Sequence, residues 1–254
     1  ARSALPPYPW APSWNAGWVP VRGRPARPAV LLPVVLVALL AAACGAAPPT
    51  TGPTGVDRLE APSPSPDPAD FVERVDHAWF PLDPGERLEY DVTGQPGVAA
   101  WEVTVVAGEE VHGVPVTGRR TVRRGPQGRV VGEETAWLAQ DRDGNVWLLG
   151  YDVREPDAPE QGWRAGPEGP GAGLVLPAHP RTGDGWVVQD APGAPRVLAR
   201  TIDPAATVAL GAATHDDVLE IELELPEAGR TLQWRLLPGV GPVELVEPAA
   251  GMVV

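Results

Sequence analysis

An alternation of apolar and polar residues with a period of two begins near Arg87 and limits what this chain can fold into. Successive side chains of a β-strand point to opposite faces, so the pattern predicts strands with one buried and one wet face. The clearest examples are residues 219–225 and 232–236, separated by residues 226–229. We expect this pair to form a hairpin with Glu and Arg side chains on its outer face. Trp101, Val103 and Val105 alternate with polar neighbours in the same way.

A second hairpin is predicted around Asp143-Gly144, which lies between two strand-like segments. Both central residues of a type I′ turn need positive φ, which Asp-Gly favours. In that register Trp137 faces Gly150, and we expect its ring to cover the bare backbone there. Strand signals recur with Gly and Pro between them, and no long amphipathic helix follows Ala78. The indicated class is all-β: a strongly curved antiparallel sheet, as a barrel or a sandwich, in a single domain over residues 69–254.

The composition is acidic and holds one cysteine, Cys44. Four of the 20 arginines and none of the 33 acidic residues precede Cys44, so the remainder carries a net charge of −17. Such a charge repels phosphate backbones, and we expect no nucleic-acid partner. Because there is no second cysteine, no disulfide framework can stabilise the fold, and an ordinary apolar core must do so.

Residues 22–44 have the organisation of an export signal. Residues 22–28 form a positive n-region, residues 29–40 are apolar, and residues 41–43 supply the small side chains that a signal peptidase requires. A cysteine directly after such a run resembles the lipobox of bacterial, actinobacterial-type lipoproteins. The resemblance implies that residues 22–43 are removed and that Cys44 carries a diacylglyceryl group.

One departure from the lipobox pattern leaves alternatives open at Cys44. The lipobox usually has Leu three residues before the cysteine, where this chain has Ala41, with Leu40 one step earlier. The alternatives are cleavage by the general signal peptidase or an uncut anchor, although the apolar run is shorter than the roughly 20 residues of a spanning helix. We therefore expect an exported protein, lipid-anchored on the outer face of the plasma membrane.

The segments on either side of this signal have separate interpretations. Residues 1–21 do not fit an export signal, and we interpret them as a non-native extension, with Val19 or Val21 as the start. Residues 44–68 contain seven prolines without apolar periodicity. They are predicted to be a lipid-anchored tether that reaches on the order of 70 Å.

A short helix is predicted at the entrance of the folded domain. Asp70 and Glu73 have the spacing of a capping box, and Phe71 and Val75 form an apolar stripe. The stretch DFVERVDHAWFPLDPGERLEY is similar to the domain start in an uncharacterised family of secreted bacterial β proteins with the pattern D-N-P-aromatic-F-P-L-x-P-G. The segments AQDRDGNVWLLG and LLPGVGPVELV also resemble that family, whereas His77-Ala78 replace its usual Asn-Pro. The resemblance implies an all-β domain and brings no activity or site.

The predicted domain lacks several kinds of catalytic residue. No serine follows Ser65, and the domain has no cysteine or lysine. Serine and thiol nucleophiles, Schiff-base lysines and lysine-containing phosphate loops are therefore excluded there. We predict a non-enzymatic protein and assign no catalytic residue, cofactor or metal.

Two candidate metal sites are alternatives to that prediction. Asp141, Asp143 and Asn145 have the one-three-five spacing of a calcium loop, but the glycine stands at the fourth place and strand-like residues follow, which favours a hairpin turn. The four histidines lack a metal-binding spacing; His215, beside two aspartates, is the most metal-like of them.

Arginines cluster on this acidic chain at positions 119, 120, 123, 124 and 129. On a strand, residues 119 and 123 point to one face and residues 120 and 124 to the other. We interpret the cluster as an edge strand protected by charge rather than as an anion site. Residues 155–173, rich in Pro and Gly, are predicted to form a surface loop, with a mobile flap as the alternative.

Two functions fit these observations. The first is a surface-anchored module that binds an unknown envelope component, as a monomer. The alternative is a carrier of an apolar ligand, a lipid or an isoprenoid, in a cavity of the curved sheet. A carrier needs a cavity of several hundred Å³, whereas Trp101, Trp137 and Trp234 would fill the interior. We favour the filled core.

Overall fold

The computed structural model describes residues 66–254, except residues 157 and 168. The predicted export signal, Cys44 and the tether as far as residue 65 lie outside the described residues. Within these limits, no helix is long and apolar enough to span a bilayer.

Apart from two 3₁₀ turns, Pro68–Asp70 and Pro226–Ala228, all regular elements in the described part of the chain are β-strands. In chain order they are β1 Phe71–Val72, β2 Val75–His77, β3 Phe80–Leu82, β4 Arg87–Asp91, β5 Ala100–Val111, β6 Val114–Arg124, β7 Val130–Asp141, β8 Val146–Arg154, β9 Gln161–Arg164, β10 Gly173–Leu176, β11 Gly185–Gln189, β12 Val197–Leu210, β13 Ala213–Leu225, β14 Arg230–Leu237, β15 Gly241–Glu247 and β16 Met252–Val253.

The strands form two large antiparallel sheets and one small one. The first sheet has the order β10-β8-β7-β6-β5-β4, with β1 added to β7 and β9 added to β8. The second sheet has the order β11-β12-β13-β14-β15-β16, and β2 pairs with β3. The predicted all-β antiparallel class is confirmed, as a sandwich rather than a closed barrel.

The predicted hairpin of residues 219–225 and 232–236 is confirmed as β13 and β14. Ile221 lies opposite Trp234 in the ladder, and both are buried in the layer between the two large sheets. On the wet face, Glu220 lies opposite Arg235, and their side chains are 2.9 Å apart. The period-two pattern therefore predicted both the pairing and its buried face.

The predicted β7–β8 hairpin is confirmed, but its turn differs from the prediction. Trp137 does lie opposite Gly150. Among the described residues other than glycine, only His112 and Asp217 have positive φ, so Asp143 does not adopt a type I′ conformation. The backbone N–H of Gly144, at φ 94°, donates to the carbonyl of residue 141. These features fit a longer loop that places one glycine in the left-handed region.

The predicted entrance helix is wrong. Residues 68–70 form a 3₁₀ turn, whose N-cap Asp67 accepts a hydrogen bond from Ala69 N at 2.9 Å. The residues of the expected helix then form β1 and β2, and Phe71 pairs with the end of β7. Strand pairing satisfies the backbone in both segments, whereas an isolated helix of two turns is marginal in water.

Both lateral openings of the sandwich are closed by contacts between its sheets. On one side, Thr93, just after β4, exchanges two backbone hydrogen bonds with Val253 of β16, at 2.8 and 3.1 Å. On the other side, Trp186 of β11 donates its indole N–H to the carbonyl of Val175 in β10 at 3.3 Å. A Cβ on Gly173 would lie only 1.8 Å from the backbone oxygen of Val188. These contacts cover sheet edges that would otherwise be open.

The paired strands β12 and β13 extend beyond the second sheet. β14 pairs with β13 only over residues 219–225, and β11 pairs with β12 only over residues 197–200. The rest of the two strands forms a two-stranded ribbon, with a small apolar cluster of Ala206, Val208 and Val218 at its base.

The contact between β10 and β11 can be tested at Gly173, where the backbone of Val188 leaves no space for a Cβ. We expect Gly173→Ala to lower the free energy of unfolding by about 1–3 kcal/mol, because the new methyl group must push two strands apart. Gly171→Ala is the matched control: its Cβ meets nothing within 4 Å, and it should change stability by less than about 0.5 kcal/mol. Urea unfolding measures both variants, and equal stabilities would contradict the described seam.

Candidate functional site

The arginine cluster lies on a central strand, so the prediction of an edge strand is wrong. β6, which carries four of the five arginines, is hydrogen-bonded to β5 on one side and to β7 on the other. The predicted alternation is nevertheless correct. Arg120 and Arg124 lie on the outer face, where they pair with Glu133 at 2.7 Å and Glu102 at 2.5 Å.

Arg119 and Arg123 point into the layer between the sheets. The exposed fractions are 8% for Arg119 and 1% for Arg123, and Thr121 between them is fully buried. Arg129 follows the strand and is exposed. Burial of two guanidinium groups on one strand is costly unless each finds partners, so their surroundings are the first candidate for a site.

Arg123 belongs to a polar cluster with the buried Glu134 and Tyr151 and the half-buried Glu155. Its Nη2 donates to the Glu155 carboxylate, and the Tyr151 hydroxyl donates to Glu134 Oε2 at 2.9 Å. Gly132 faces Arg123 across the ladder, and a Cβ there would lie 2.1 Å from Arg123 Nη2. The glycine therefore provides the space that the guanidinium occupies.

Glu134 has the most strongly perturbed acidity in this cluster. Burial raises the pKa of its carboxyl to about 7, although the positive charge of Arg123 and the hydrogen bond from Tyr151 act in the opposite direction. Glu134 Oε1 and Arg123 Nε are buried without a hydrogen-bond partner among the described residues. Desolvation outweighs attraction here because the two charges are not in direct contact.

Arg119 lies apart from that cluster and lines a cavity between the sheets. The cavity measures about 30 Å³. Besides Arg119, its walls include Tyr90 and Trp101 of the first sheet and Trp234 and Glu244 of the second. A cavity of this size holds about two water-sized groups, since each needs roughly 10–15 Å³.

The cavity is lined by a buried guanidinium with neutral hydrogen-bond partners and by one indole N–H that has no partner among the described residues. Arg119 Nη1 lies 3.5 Å from Thr121 Oγ1, and Arg119 has no carboxylate within 4.0 Å among the described residues. The indole Nε1 of Trp101 is buried, and no residue that the structure describes accepts a hydrogen bond from it. Burial raises the pKa of the Tyr90 phenol, and the charge of Arg119 and a hydrogen bond from its guanidinium oppose that rise. The Tyr90 hydroxyl itself donates to Pro242 O at 2.7 Å.

A second cluster covers the outer face of the first sheet. Asp152 accepts hydrogen bonds from Trp137 Nε1 at 2.7 Å and from both terminal nitrogens of Arg164 at 2.7–2.8 Å. The Arg164 guanidinium lies 5.4 Å from the centre of the Trp137 ring. Burial acts to raise the pKa of Asp152, but the hydrogen bonds from Arg164 and Trp137 outweigh burial, so the pKa lies below its ordinary value. The polar groups of this cluster are satisfied by one another, and their hydrogen bonds join the side chains of β7, β8 and β9.

Trp137 therefore does not fill the layer between the sheets, as the sequence suggested. Its ring lies against Gly118, where a Cβ would be 2.8 Å from it, and Gly150 is covered instead by the side chain of Arg164. The predicted surface loop of residues 155–173 instead contains strand β9, which pairs with β8, and the buried Ala165, and these cover part of this face.

The residues of the predicted calcium alternative form a hairpin turn. Asp141 Oδ1 accepts from Asn145 N, and Asp141 Oδ2 accepts from Asn145 Nδ2 and from Trp147 Nε1, each at 2.8 Å. Asn145 Oδ1 accepts from Ala178 N at 2.9 Å, and Asp143 is exposed. These oxygens are already engaged by protein donors that fix the turn.

The histidines are spread over separate loops and strands. His77 is buried: its Nδ1 accepts from Trp79 N at 3.3 Å, and its Nε2 lies 3.1 Å from Pro177 O. Burial lowers the His77 pKa. His215 lies on the ribbon, and His112 packs its ring on Gly166. The described residues contain no group of three or more His, Cys, Asp or Glu that could hold a metal ion.

Sequence reasoning missed the buried roles of Arg119, Arg123 and Glu134. The available signal was the alternation of inward and outward positions along β6 and β7. Charged residues occupy inward positions there, although the other inward positions of the sandwich are mostly apolar. Cys44, the predicted lipid-attachment residue, lies outside the described residues. Comparison with protein-family models, with curated proteins and with solved structures finds no match to this chain.

The raised pKa of Glu134 predicts a specific pH dependence of stability. Because the folded-state pKa of about 7 exceeds the ordinary 4.5, folding favours the protonated carboxyl. This contribution is complete below about pH 4.5 and is lost as pH rises through about 7, a change on the order of 3 kcal/mol. Glu134→Gln should abolish this decrease in the free energy of unfolding with rising pH. Urea unfolding at a series of pH values measures it.

Glu133→Gln is the matched control for this experiment. The hydrogen bond from Arg120 lowers the pKa of Glu133, so its contribution is lost as pH falls, not as it rises. The lowered pKa of His77 also acts in the opposite direction to Glu134, and it is common to all the proteins compared. A Glu134→Gln profile parallel to that of the unmodified protein would contradict the assignment.

Proposed function

We propose that this chain is an exported lipoprotein, anchored by Cys44 on the outer face of the plasma membrane, whose β-sandwich is a non-enzymatic binding module for an envelope component. The anchor rests on the organisation of residues 22–44 and on the proline-rich tether. The net charge of −17 after Cys44 supports a domain held away from anionic headgroups.

The single observation that favours the binding module over the carrier is the small volume of the cavity that Arg119 lines between the sheets. The cavity of about 30 Å³ is far below the several hundred Å³ that a lipid or isoprenoid occupies. Trp101 and Trp234 take up the space that a carrier would leave open. A partner of this protein would therefore bind to its outer surface.

The anchor is tested by labelling cells with an alkyne fatty acid. We expect the intact protein to incorporate the label and Cys44→Ala to lose it, because only the thiol of Cys44 can form the thioether. Expression of Cys44→Ala, detected with an antibody, is the control for synthesis. Retained label in Cys44→Ala, or a mature N-terminus at residue 45 or later, would contradict the anchor.

The module and the carrier differ in what co-purifies with the domain. We expect native mass spectrometry of Cys44→Ala, isolated from its own host, to give the mass of the polypeptide alone. Because Cys44→Ala lacks the only thiol, a lipid adduct in this variant is not the covalent anchor, and the species compared are those whose mass shows that residues 22–43 have been removed. A stoichiometric lipid or isoprenoid adduct would favour the carrier.

A further inference from the structure

The cavity at Arg119 combines a buried positive charge with a donor that has no acceptor. Arg119 is 8% exposed and carries five N–H donors; one reaches Thr121 Oγ1 at 3.5 Å, and Arg119 also hydrogen-bonds the Tyr90 hydroxyl, so its neighbours are neutral and fewer than its donors. Trp101, on the neighbouring strand, adds an indole N–H without a partner among the described residues. Buried donors of this kind are normally satisfied, so the pair indicates a group that supplies oxygen acceptors.

We propose that the cavity between the two sheets binds a small monovalent oxyanion, of the size of formate, through Arg119 and the indole N–H of Trp101. A planar carboxylate matches the fork of a guanidinium, and two such bonds are stronger than those between neutral groups. The proposal concerns the interior of the domain and does not depend on the anchor or on the outer binding surface.

The charges that surround the cavity leave Arg119 without a dedicated counter-ion. Glu244, on the facing sheet, lines the cavity, but its carboxylate accepts a hydrogen bond from Arg235 and belongs to that ion pair. Glu134 is the next acidic group on the same inner face. Its interaction with Arg119 is weaker than its interaction with Arg123.

The size of the cavity sets the size of the anion. Its volume of about 30 Å³ corresponds to about two water-sized groups. Formate and nitrate are of that order, whereas a branched carboxylate of the same charge is not. Aromatic side chains of Tyr90, Trp101 and Trp234 line the site, and their low polarity strengthens the attraction between guanidinium and anion.

The test is a titration of the folded protein with sodium formate at constant ionic strength, followed by ¹H–¹⁵N NMR of the tryptophan indoles. Trp101→Phe assigns the indole signal. We expect the Trp101 signal to shift saturably, because its N–H gains an acceptor. Pivalate, with the same charge and a bulky tail, should leave the signal in place.

Two variants on the same strand separate the site from general salt effects. Arg119→Met should weaken formate binding by more than about tenfold, since it removes the charged donor. Arg120→Met loses an outward arginine paired with Glu133 and should bind formate like the unmodified protein. Well-dispersed spectra of each variant show that it is folded.

Three results would overturn the proposal. One is a Trp101 signal that does not move with formate in the unmodified protein, which would leave water as the partner of the buried donors; this result does not depend on whether Arg119→Met folds. The second is an equal shift with pivalate. The third is a loss of binding in Arg120→Met as large as that in Arg119→Met.

Discussion

The closure of the layer between the two sheets is the constraint on which the rest of the structure depends. Contacts at Thr93–Val253 and at Val175–Trp186 join the sheets on both sides, so the inner faces are withdrawn from water. The leucines of β13 and β14 then gain the full benefit of burial, roughly 25 cal/mol for each Å² removed from solvent. The same closure leaves little room for a ligand.

Charged residues in this layer are held by different means. Arg123 has Glu155 as its partner and the space left by Gly132, while Glu134 is held by Tyr151 and favours its protonated form. Arg119 has only neutral neighbours within hydrogen-bonding distance. Buried ionic groups rarely add net stability, so their presence on β6 and β7 fits specificity or binding better than strength.

The sequence predicted the parts of this fold that depend on local periodicity. The pairing of β13 with β14 follows from alternation and the intervening turn residues. Trp137 lies opposite Gly150 as predicted, but through a different turn and a register shift between Trp137 and Leu138 that the sequence did not indicate. The entrance helix failed because the pairing of Phe71 with β7 is a long-range contact that local propensity does not contain. The prediction of an edge position for β6 was wrong for the same reason, and the burial of Arg119 was therefore missed. The side-chain period showed that Arg119 and Arg120 point apart but not which face is buried.

The state of the Glu134 carboxyl reports most directly whether this layer is sealed. A ¹³C NMR titration of the Glu134 side chain, identified by Glu134→Gln, gives its pKa in the folded protein. The sealed sandwich predicts a value of about 7. A value at the ordinary 4.5 would mean that water reaches the carboxyl, and it would contradict both the closed layer and the outward-binding module derived from it.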